Sequence, residues 1–311
     1  MSYPPLVSIV LPAFIASPQQ AGLLDETLAT VDRQHCTDYE VIVVDDGSPV
    51  DVDAIARRHP RTTTIRQANA GVAVARNAGI AVSRGRFLVF LDADDHLLPP
   101  ALEVGVQMLS GAPDAGFAVG PREEMTYEGA PVPWTVAPPP DERFIYEPLL
   151  AFAWYIIPPS SAMFRRAAVD VIGGFRDPWG ADDLDFYLRA ARSFPARCYQ
   201  SPAVTRYRRY STSSSRDGER MLRSIRAVYA RHWPLVRGNP SLERAYATGL
   251  SQLTAIFQDC LVENVADRVR GRQWRAARRS ASLLARESPR RLLTAAKRVW
   301  SEWEGAPPMP A

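Results

Sequence analysis

The chain has 311 residues, enough for one large domain with an appendage or for two domains, with 46% hydrophobic and 23% charged residues, ordinary for a globular fold. No apolar run approaches the roughly 18 residues of a bilayer-spanning helix, so a helical membrane span is excluded. The net charge is only +3, and three well-separated cysteines (Cys36, Cys198, Cys260) exclude a disulfide framework and show no metal-ligand spacing.

In chain order, strand and helix signals alternate through the first half. Val7-Ser8-Ile9-Val10-Leu11 is a β-branched apolar run stopped by Pro12, and residues 23–34 carry Leu24, Leu28 and Val31 at helical spacing. Val41-Ile42-Val43-Val44 reads as a second buried strand, ended by the turn signal Asp45-Asp46-Gly47-Ser48. A helix is expected over 52–58, a short strand over 63–65, a helix over 72–83 and a buried strand over 87–91. Such alternation with short connections predicts a mostly parallel sheet covered by helices, and ligands of such sheets bind at the carboxyl ends of the strands. Residues 113–159 are rich in proline (Pro131, Pro133, Pro138, Pro139, Pro140), with Trp134 and Trp154 interspersed. They are expected to form a long irregular connection lining a cleft. A strand and helix start return over 161–171, and a helix over 182–192 turns Leu184, Leu188 and Ala191 inward. Past Ser211-Thr212-Ser213-Ser214-Ser215 the chain is helical in character up to Pro307-Pro308, so the expected division is 1–215 and 216–311.

The acidic residues gather at strand ends. Asp92-Ala93-Asp94-Asp95 follows the run Phe87-Leu88-Val89-Phe90-Leu91, and carboxylates so close together repel unless a cation offsets them. Mg²⁺ and Mn²⁺ take oxygen ligands and share them with substrate phosphates, which makes an Asp-x-Asp at a strand end a candidate metal–diphosphate site. The competing reading is that these aspartates cap a turn and the helix after Pro99-Pro100. Asp45 and Asp46 have the same alternative as turn formers. Arg76 can equally be a solvated helix arginine, and Asp182, Asp183 and Asp185 can simply complement a helix N-terminus, although three acids in four residues exceed what capping requires. The four histidines (His35, His59, His96, His232) form no pair at ligand spacing and read as surface or packing residues.

Five segments together resemble the family 2 glycosyltransferases: Val7-Ser8-Ile9-Val10-Leu11-Pro12-Ala13-Phe14; Val41-Ile42-Val43-Val44-Asp45-Asp46-Gly47-Ser48; Asn69-Ala70-Gly71-Val72-Ala73-Val74-Ala75-Arg76-Asn77-Ala78-Gly79; Phe90-Leu91-Asp92-Ala93-Asp94-Asp95; and Gly173-Gly174-Phe175 followed by Asp182-Asp183-Leu184-Asp185. The resemblance covers about residues 5–215 and implies an α/β, Rossmann-like GT-A type fold, here with a helical C-terminal extension. It implies inverting sugar transfer from a nucleoside-diphosphate donor, UDP first among them, to a hydroxyl of a glycan, lipid-linked or small-molecule acceptor, in polysaccharide or glycoconjugate assembly. By the same likeness Pro12, Ala13 and Phe14 border the base and Asp46 accepts a hydrogen bond from it. Arg76 reaches the nucleotide. Asp92, with Ala93 beside it, contacts the ribose or a metal-bound water, Asp94 ligates Mn²⁺ or Mg²⁺, and Asp183 is the general base. Asp182 orients an acceptor hydroxyl, and Arg208 or Arg209 clamps phosphate oxygens.

The chain departs from the family pattern at three places. Phe14-Ile15 stands where tyrosine and asparagine are common, Asp182 replaces a glutamate, and Tyr207-Arg208-Arg209-Tyr210 lacks the histidine of a Tyr-Arg-x-His segment. Two rivals carry different signatures. A sugar-1-phosphate nucleotidyltransferase needs a glycine-rich loop and a basic residue after the first strand, and residues 12–17 supply neither. A non-catalytic scaffold or binding subunit has no need of Asp94 and Asp183.

Charge is unevenly distributed. Residues 268–298 hold eleven basic side chains (Arg268, Arg270, Arg272, Arg275, Arg278, Arg279, Arg286, Arg290, Arg291, Lys297, Arg298) against Glu287, a local +10 that leaves −7 for the remainder. With Trp274, Leu283, Leu284, Leu292, Leu293, Val299, Trp300 and Trp303, residues 268–303 form either a peripheral contact with an anionic membrane or an apolar stripe packed on the catalytic domain. Nucleic acid is not an expected partner, because no base-stacking module is present. The N-terminus lacks a basic region ahead of an apolar one, so the expected location is cytoplasmic, with optional attachment to the inner face of the membrane.

Overall fold

A computed structural model describes residues 3–138, 143–176, 180–209 and 214–304, without the side chains of Trp134, Ser214 and residues 297–304. Pro139, Pro140, Tyr210, Ser211, Thr212, Ser213, Pro307 and Pro308 therefore lie outside the described residues, as do the side chains of Trp134, Lys297, Arg298, Val299, Trp300 and Trp303. The chain divides into two compact units, 1–210 and 211–311.

The first unit opens with β1 (Val7–Ala13), α1 (Pro18–Val31), β2 (Tyr39–Asp45), α2 (Val52–Ala56), β3 (Thr62–Arg66), α3 (Val72–Val82) and β4 (Phe87–Phe90). β1, β2 and β4 are buried at nearly every position, which is why they read as continuous apolar runs rather than alternating ones. Then follow β5 (His96–Leu97), α4 (Ala101–Ser110), β6 (Phe117–Val119), β7 (Arg122–Met125), β8 (Pro131–Val136) and α5 (Tyr146–Leu150). β9 (Ala162–Arg165), α6 (Arg166–Ile172), α7 (Asp182–Ser193), β10 (Ala196–Cys198) and β11 (Thr205–Arg208) complete the unit. Seven strands form the main sheet in the order β10-β6-β9-β4-β1-β2-β3, with β9 antiparallel to both neighbours and the other pairings parallel.

The 113–159 region is not the irregular connection expected from its prolines. Within it β7 and β8 pair antiparallel, and with β5 and β11 they build a second sheet in the order β5-β11-β7-β8. Pro131 and Pro133 are tolerated because β8 is an edge strand, where a missing N–H costs no ladder bond.

Helix packing on the main sheet is close at α3. A Cβ on Gly79 would come within 2.4 Å of Val10 Cγ1 and 3.1 Å of Val44 Cγ2, so only glycine lets α3 approach β1 and β2 this tightly. The helix starts from Gly71 at φ 92°, a left-handed backbone that a side chain would strain. This approach carries Arg76, on the second turn of α3, into the protein interior.

The second unit is helical: α8 (Gly218–Val236), α9 (Pro240–Arg270), α10 (Trp274–Glu287) and α11 (Pro289–Glu304). Its core joins Leu222, Leu261, Val262, Val265, Leu284 and Ala295, with Leu283 and Leu292 against them. No helix among the described residues is long and apolar enough to cross a membrane.

Candidate active site

The carboxyl ends of β1, β2 and β4 lie side by side. Ala13 pairs with Asp45 across β1 and β2, and Val10 with Phe90 across β1 and β4. Pro12 and Ala13 are buried there, while Phe14 is 48% exposed. Ile15 N donates to Ser48 Oγ at 2.8 Å, which ties the end of β1 to the turn after β2.

Asp45 and Asp46 organise that turn. Asp45 accepts from Ser48 N at 2.8 Å and pairs with Arg66. The Asp46 carboxylate accepts from Gln67 Nε2 and Ala70 N at 2.8 Å and from Gly71 N at 2.9 Å. A carboxylate offers about four acceptor positions, so three are spent on the loop before α3 and one stays open. Asp46 thus has a structural duty that its expected contact with a base did not include.

Arg76, expected to reach the nucleotide, is buried between two carboxylates. Its Nη2 donates to Asp92 Oδ1 at 2.6 Å and its Nη1 to Asp182 Oδ2 at 2.5 Å, and its guanidinium lies 5.2 Å from the centre of the Phe175 ring. One buried guanidinium therefore joins the strand-end carboxylate to the first residue of α7. The two carboxylates hold its proton far more firmly than burial would release it.

The approach of α7 to this arginine is fixed by the glycine pair. Asn77 Nδ2 donates to Phe175 O and Asn77 Oδ1 accepts from Phe175 N, both at 2.8 Å. A Cβ on Gly174 would fall 2.1 Å from Asn77 Oδ1. From the other side Arg189, paired with Asp185 at 2.8 Å, donates to the carbonyls of Ile172, Gly173 and Gly174. Phe175 stacks on Phe186 at 4.2 Å and meets Phe90 edge-on at 4.8 Å, closing the apolar floor.

The acids at this junction differ in environment. Asp182 is almost fully buried, and burial raises its carboxyl despite the opposing pull of Arg76. Asp183 is partly exposed and accepts from Leu184 N at 2.7 Å. Burial, then the repulsion of Asp182, pushes its carboxyl up to about 7, against the lowering effect of Arg76. A carboxylate near neutrality, partly accessible and next to a buried like charge, is suited to taking up a proton.

The Asp-x-Asp turn is braced from below. Arg208, expected with Arg209 as a candidate phosphate clamp, makes its contacts here within the scaffold. Its Nε donates to Asp94 O at 2.8 Å, its Nη1 to Tyr127 O, and its Nη2 to Glu26 Oε2 at 3.0 Å, with His96 Nε2 3.1 Å away. Its backbone N donates to Asp95 Oδ1 at 2.9 Å. Arg209 is more exposed and pairs with Glu124 at 2.9 Å. Ala93 is partly buried and packs on the core beneath β4.

Asp95 is fully buried, and its Oδ2 has no partner among the described residues. Burial, and then Asp94 and Asp92, raise its carboxyl well above the ordinary range. Among the described residues no three protein carboxylates, histidines or cysteines converge to hold an ion by themselves. Mg²⁺ and Mn²⁺ are commonly held by one or two carboxylates with substrate phosphates supplying the rest, and the partly exposed Asp94 beside Asp92 fits that donor set.

Two tyrosines border these acids: Tyr207, to which the sequence assigned no role, and Tyr187, which it did not single out. Tyr207 is burdened by Asp95, Asp92, Asp94 and Asp183 together, and burial followed by these charges raises its phenol. Tyr187, four residues after Asp183 on α7, is buried with its hydroxyl unpartnered among the described residues. Only the i, i+4 spacing from Asp183 hinted at Tyr187.

Comparison with known proteins bears on this arrangement. The model of the Glycosyl transferase family 2 matches residues 8–173, from β1 to the first glycine of the pair that positions α7. YwdF of Bacillus subtilis (strain 168), described as an uncharacterized glycosyltransferase, is 32% identical over 195 residues, which span 60% of this chain and 69% of YwdF. Among solved structures, S. aureus TarS 1–349 in complex with UDP-GlcNAc superposes with a TM-score of 0.61 at 16% identity, covering 96% of this chain and 89% of TarS 1–349. The mannosyltransferase PcManGT from Pyrobaculum calidifontis, in complex with GDP-Man and Mn²⁺, superposes with a TM-score of 0.58 at 20% identity, covering 98% and 89%. The two superpositions concern the fold. The family match covers the strands and turns that gather Asp46, Arg76, Asp92 and Asp94, and on that match this chain belongs to glycosyl transferase family 2.

Proposed function

We propose that this glycosyltransferase moves a sugar from a nucleoside-diphosphate donor, with UDP the first candidate, to an acceptor hydroxyl in a metal-dependent, inverting displacement. The observation that carries the proposal is the Arg76 bridge. It ties Asp92, on the donor side, to Asp182, the neighbour of the base Asp183 on the acceptor side.

Pro12, Ala13 and Phe14 border the base, and the open acceptor position of Asp46 receives its N–H. Asp94 would hold Mn²⁺ or Mg²⁺ for the donor's diphosphate, and Asp92 and Ala93 would form the wall beside the ribose. When bound, that cation offsets the negative charge that builds on the leaving diphosphate. Asp183 takes the proton of the acceptor hydroxyl as its oxygen attacks the anomeric carbon from the face opposite the diphosphate. Asp182, fixed by Arg76, keeps the Asp183 carboxyl basic by repulsion and borders the acceptor. Arg209 lines the acceptor side of the second sheet. A single displacement needs one base and no protein nucleophile.

The acceptor is proposed to be a growing glycan or a lipid-linked saccharide, and the physiological setting the assembly of a polysaccharide or glycoconjugate. The test is product analysis. With a UDP-sugar and a screened acceptor, NMR of the glycoside should show an anomeric configuration opposite to the donor's. Asp183→Asn should lower transfer by about 10²–10⁴ while still binding UDP. Retained configuration, or full turnover by Asp183→Asn, would overturn the assignment.

A further inference from the structure

The helical unit carries 18 of the chain's basic residues against nine acids, a net +9, while the first unit carries −6. Within the unit this charge is not neutralised evenly. Arg268 binds the Ser280 hydroxyl near Asp217 and Glu219, Arg270 pairs with Asp267 at 2.9 Å, and Arg291 pairs with Asp259 at 3.2 Å. Glu287 is taken by Arg226. Arg272, Arg275, Arg278, Arg279 and Arg290 are exposed and have no carboxylate partner among the described residues, and Arg286 is exposed beside Glu287, which Arg226 already holds.

The helix α10 sorts these side chains by face. Ala277, Ser280 and Leu284 are its buried positions, at i, i+3 and i+7. Arg275, Arg279 and Arg286 project from the opposite side, and Arg278 flanks them. Trp274, at the border of the two faces, is 59% exposed, and Leu293 on α11 is 65% exposed. Leu283, Leu284 and Leu292, which the sequence left as either a membrane-facing stripe or one packed on the catalytic domain, belong to the helical unit's own core. Among the described residues, what faces outward from α10 is therefore a cationic row of guanidinium groups bordered by one indole, not an apolar stripe.

We propose that this face of α10, with Arg272 and Arg290 at its ends, docks the protein on an anionic lipid surface. The complementarity is electrostatic: exposed guanidinium groups that outnumber the described carboxylates around them meet lipid phosphates, and Trp274 settles among the headgroups. Attachment is peripheral and shallow, consistent with the absence of a membrane-spanning helix among the described residues. Among the described side chains no second aromatic stacks beside Trp274, so it offers lipid headgroups an anchor and shows nucleic-acid bases no stacking groove there. The surface stands independently of the transfer chemistry, and it would concentrate the enzyme where lipid-carried acceptors lie.

The test is co-sedimentation of the full chain with vesicles of phosphatidylcholine alone or mixed with phosphatidylglycerol, at low and high ionic strength. Binding should require phosphatidylglycerol and be lost at high salt. At about fivefold per arginine, the combined Arg275→Glu, Arg279→Glu and Arg286→Glu variant should bind at least about 100-fold more weakly. These side chains are exposed, so its circular dichroism and nucleotide binding should match the wild type. Trp274→Phe should remove most of the fluorescence blue shift that vesicles induce. Equal partitioning onto both vesicle types, salt-independent binding, or capture by duplex DNA without vesicle binding would each overturn the proposal. Because wild-type lipid and salt dependence suffices, a variant that failed to fold would not protect it.

Discussion

Replacing Arg76 with methionine tests how the two halves of the site are joined. The arginine side chain is 5% exposed, the Asp182 side chain 4% and the Asp92 side chain 31%. Methionine keeps the apolar stem and the volume but strands two carboxylates. Removing one member of a buried ion pair typically costs about 3–5 kcal/mol, and Asp182 should account for most of it because Asp92 is partly screened by solvent. The sign with pH follows from the acids left behind. Asp182 and Asp183 already have raised carboxyls, and Arg76 is the group that lowers both. Without it they rise further, so the folded state binds protons that the unfolded state releases, and stability falls as pH rises from the ordinary carboxylate range toward neutrality. Urea unfolding followed by circular dichroism at mildly acidic and mildly alkaline pH reads both effects. The loss should approach the full amount at alkaline pH and shrink in acid. Arg76→Lys should fall between, since one ammonium cannot fork to both carboxylates. A loss below about 1 kcal/mol, or one indifferent to pH, would refute the reasoning, since it would lie in the range of an exposed pair.

Other outcomes follow from the same geometry. The acid limb of the kcat/KM profile should rise through about pH 7, because Asp183 must be deprotonated to accept the acceptor's proton, and Asp183→Asn should lower kcat by about 10²–10⁴. Arg208→Gln should raise the Mn²⁺ concentration needed for half-maximal activity more than it changes the KM for acceptor, because the guanidinium braces the Asp94 carbonyl and the Asp95 turn. Gly79→Ala should cost about 1–3 kcal/mol in urea unfolding by forcing α3 off Val10 and Val44. Tyr187→Phe should be neutral or stabilise by up to about 1 kcal/mol, because its buried hydroxyl has no partner among the described residues to lose.

The parts of the fold visible in sequence are those whose pattern is local. β1, β2 and β4 are buried on both faces and so appear as unbroken apolar runs, and α3 and α7 carry their own periodicity. β5, β10 and β11 have two to four residues each and exist only through their partners, so no window of sequence announces them. The β7–β8 pair was hidden by prolines that break a central strand but not an edge. In the site, Asp92, Asp94, Asp182 and Asp183 stood out as improbable clusters of like charge. The partners of Arg76 did not, since 16 residues separate it from Asp92 and 106 from Asp182. For the same reason nothing local revealed that Arg208 turns toward Glu26, 182 residues away.

The most direct test of the central claim is a thermal-shift titration of UDP with and without Mn²⁺ on the wild type and on Asp94→Asn. UDP and Mn²⁺ together should raise Tm well beyond either alone, and Asp94→Asn should abolish this synergy while keeping the unliganded Tm. Equal stabilisation by UDP with or without the ion, or synergy undiminished in Asp94→Asn, would contradict it.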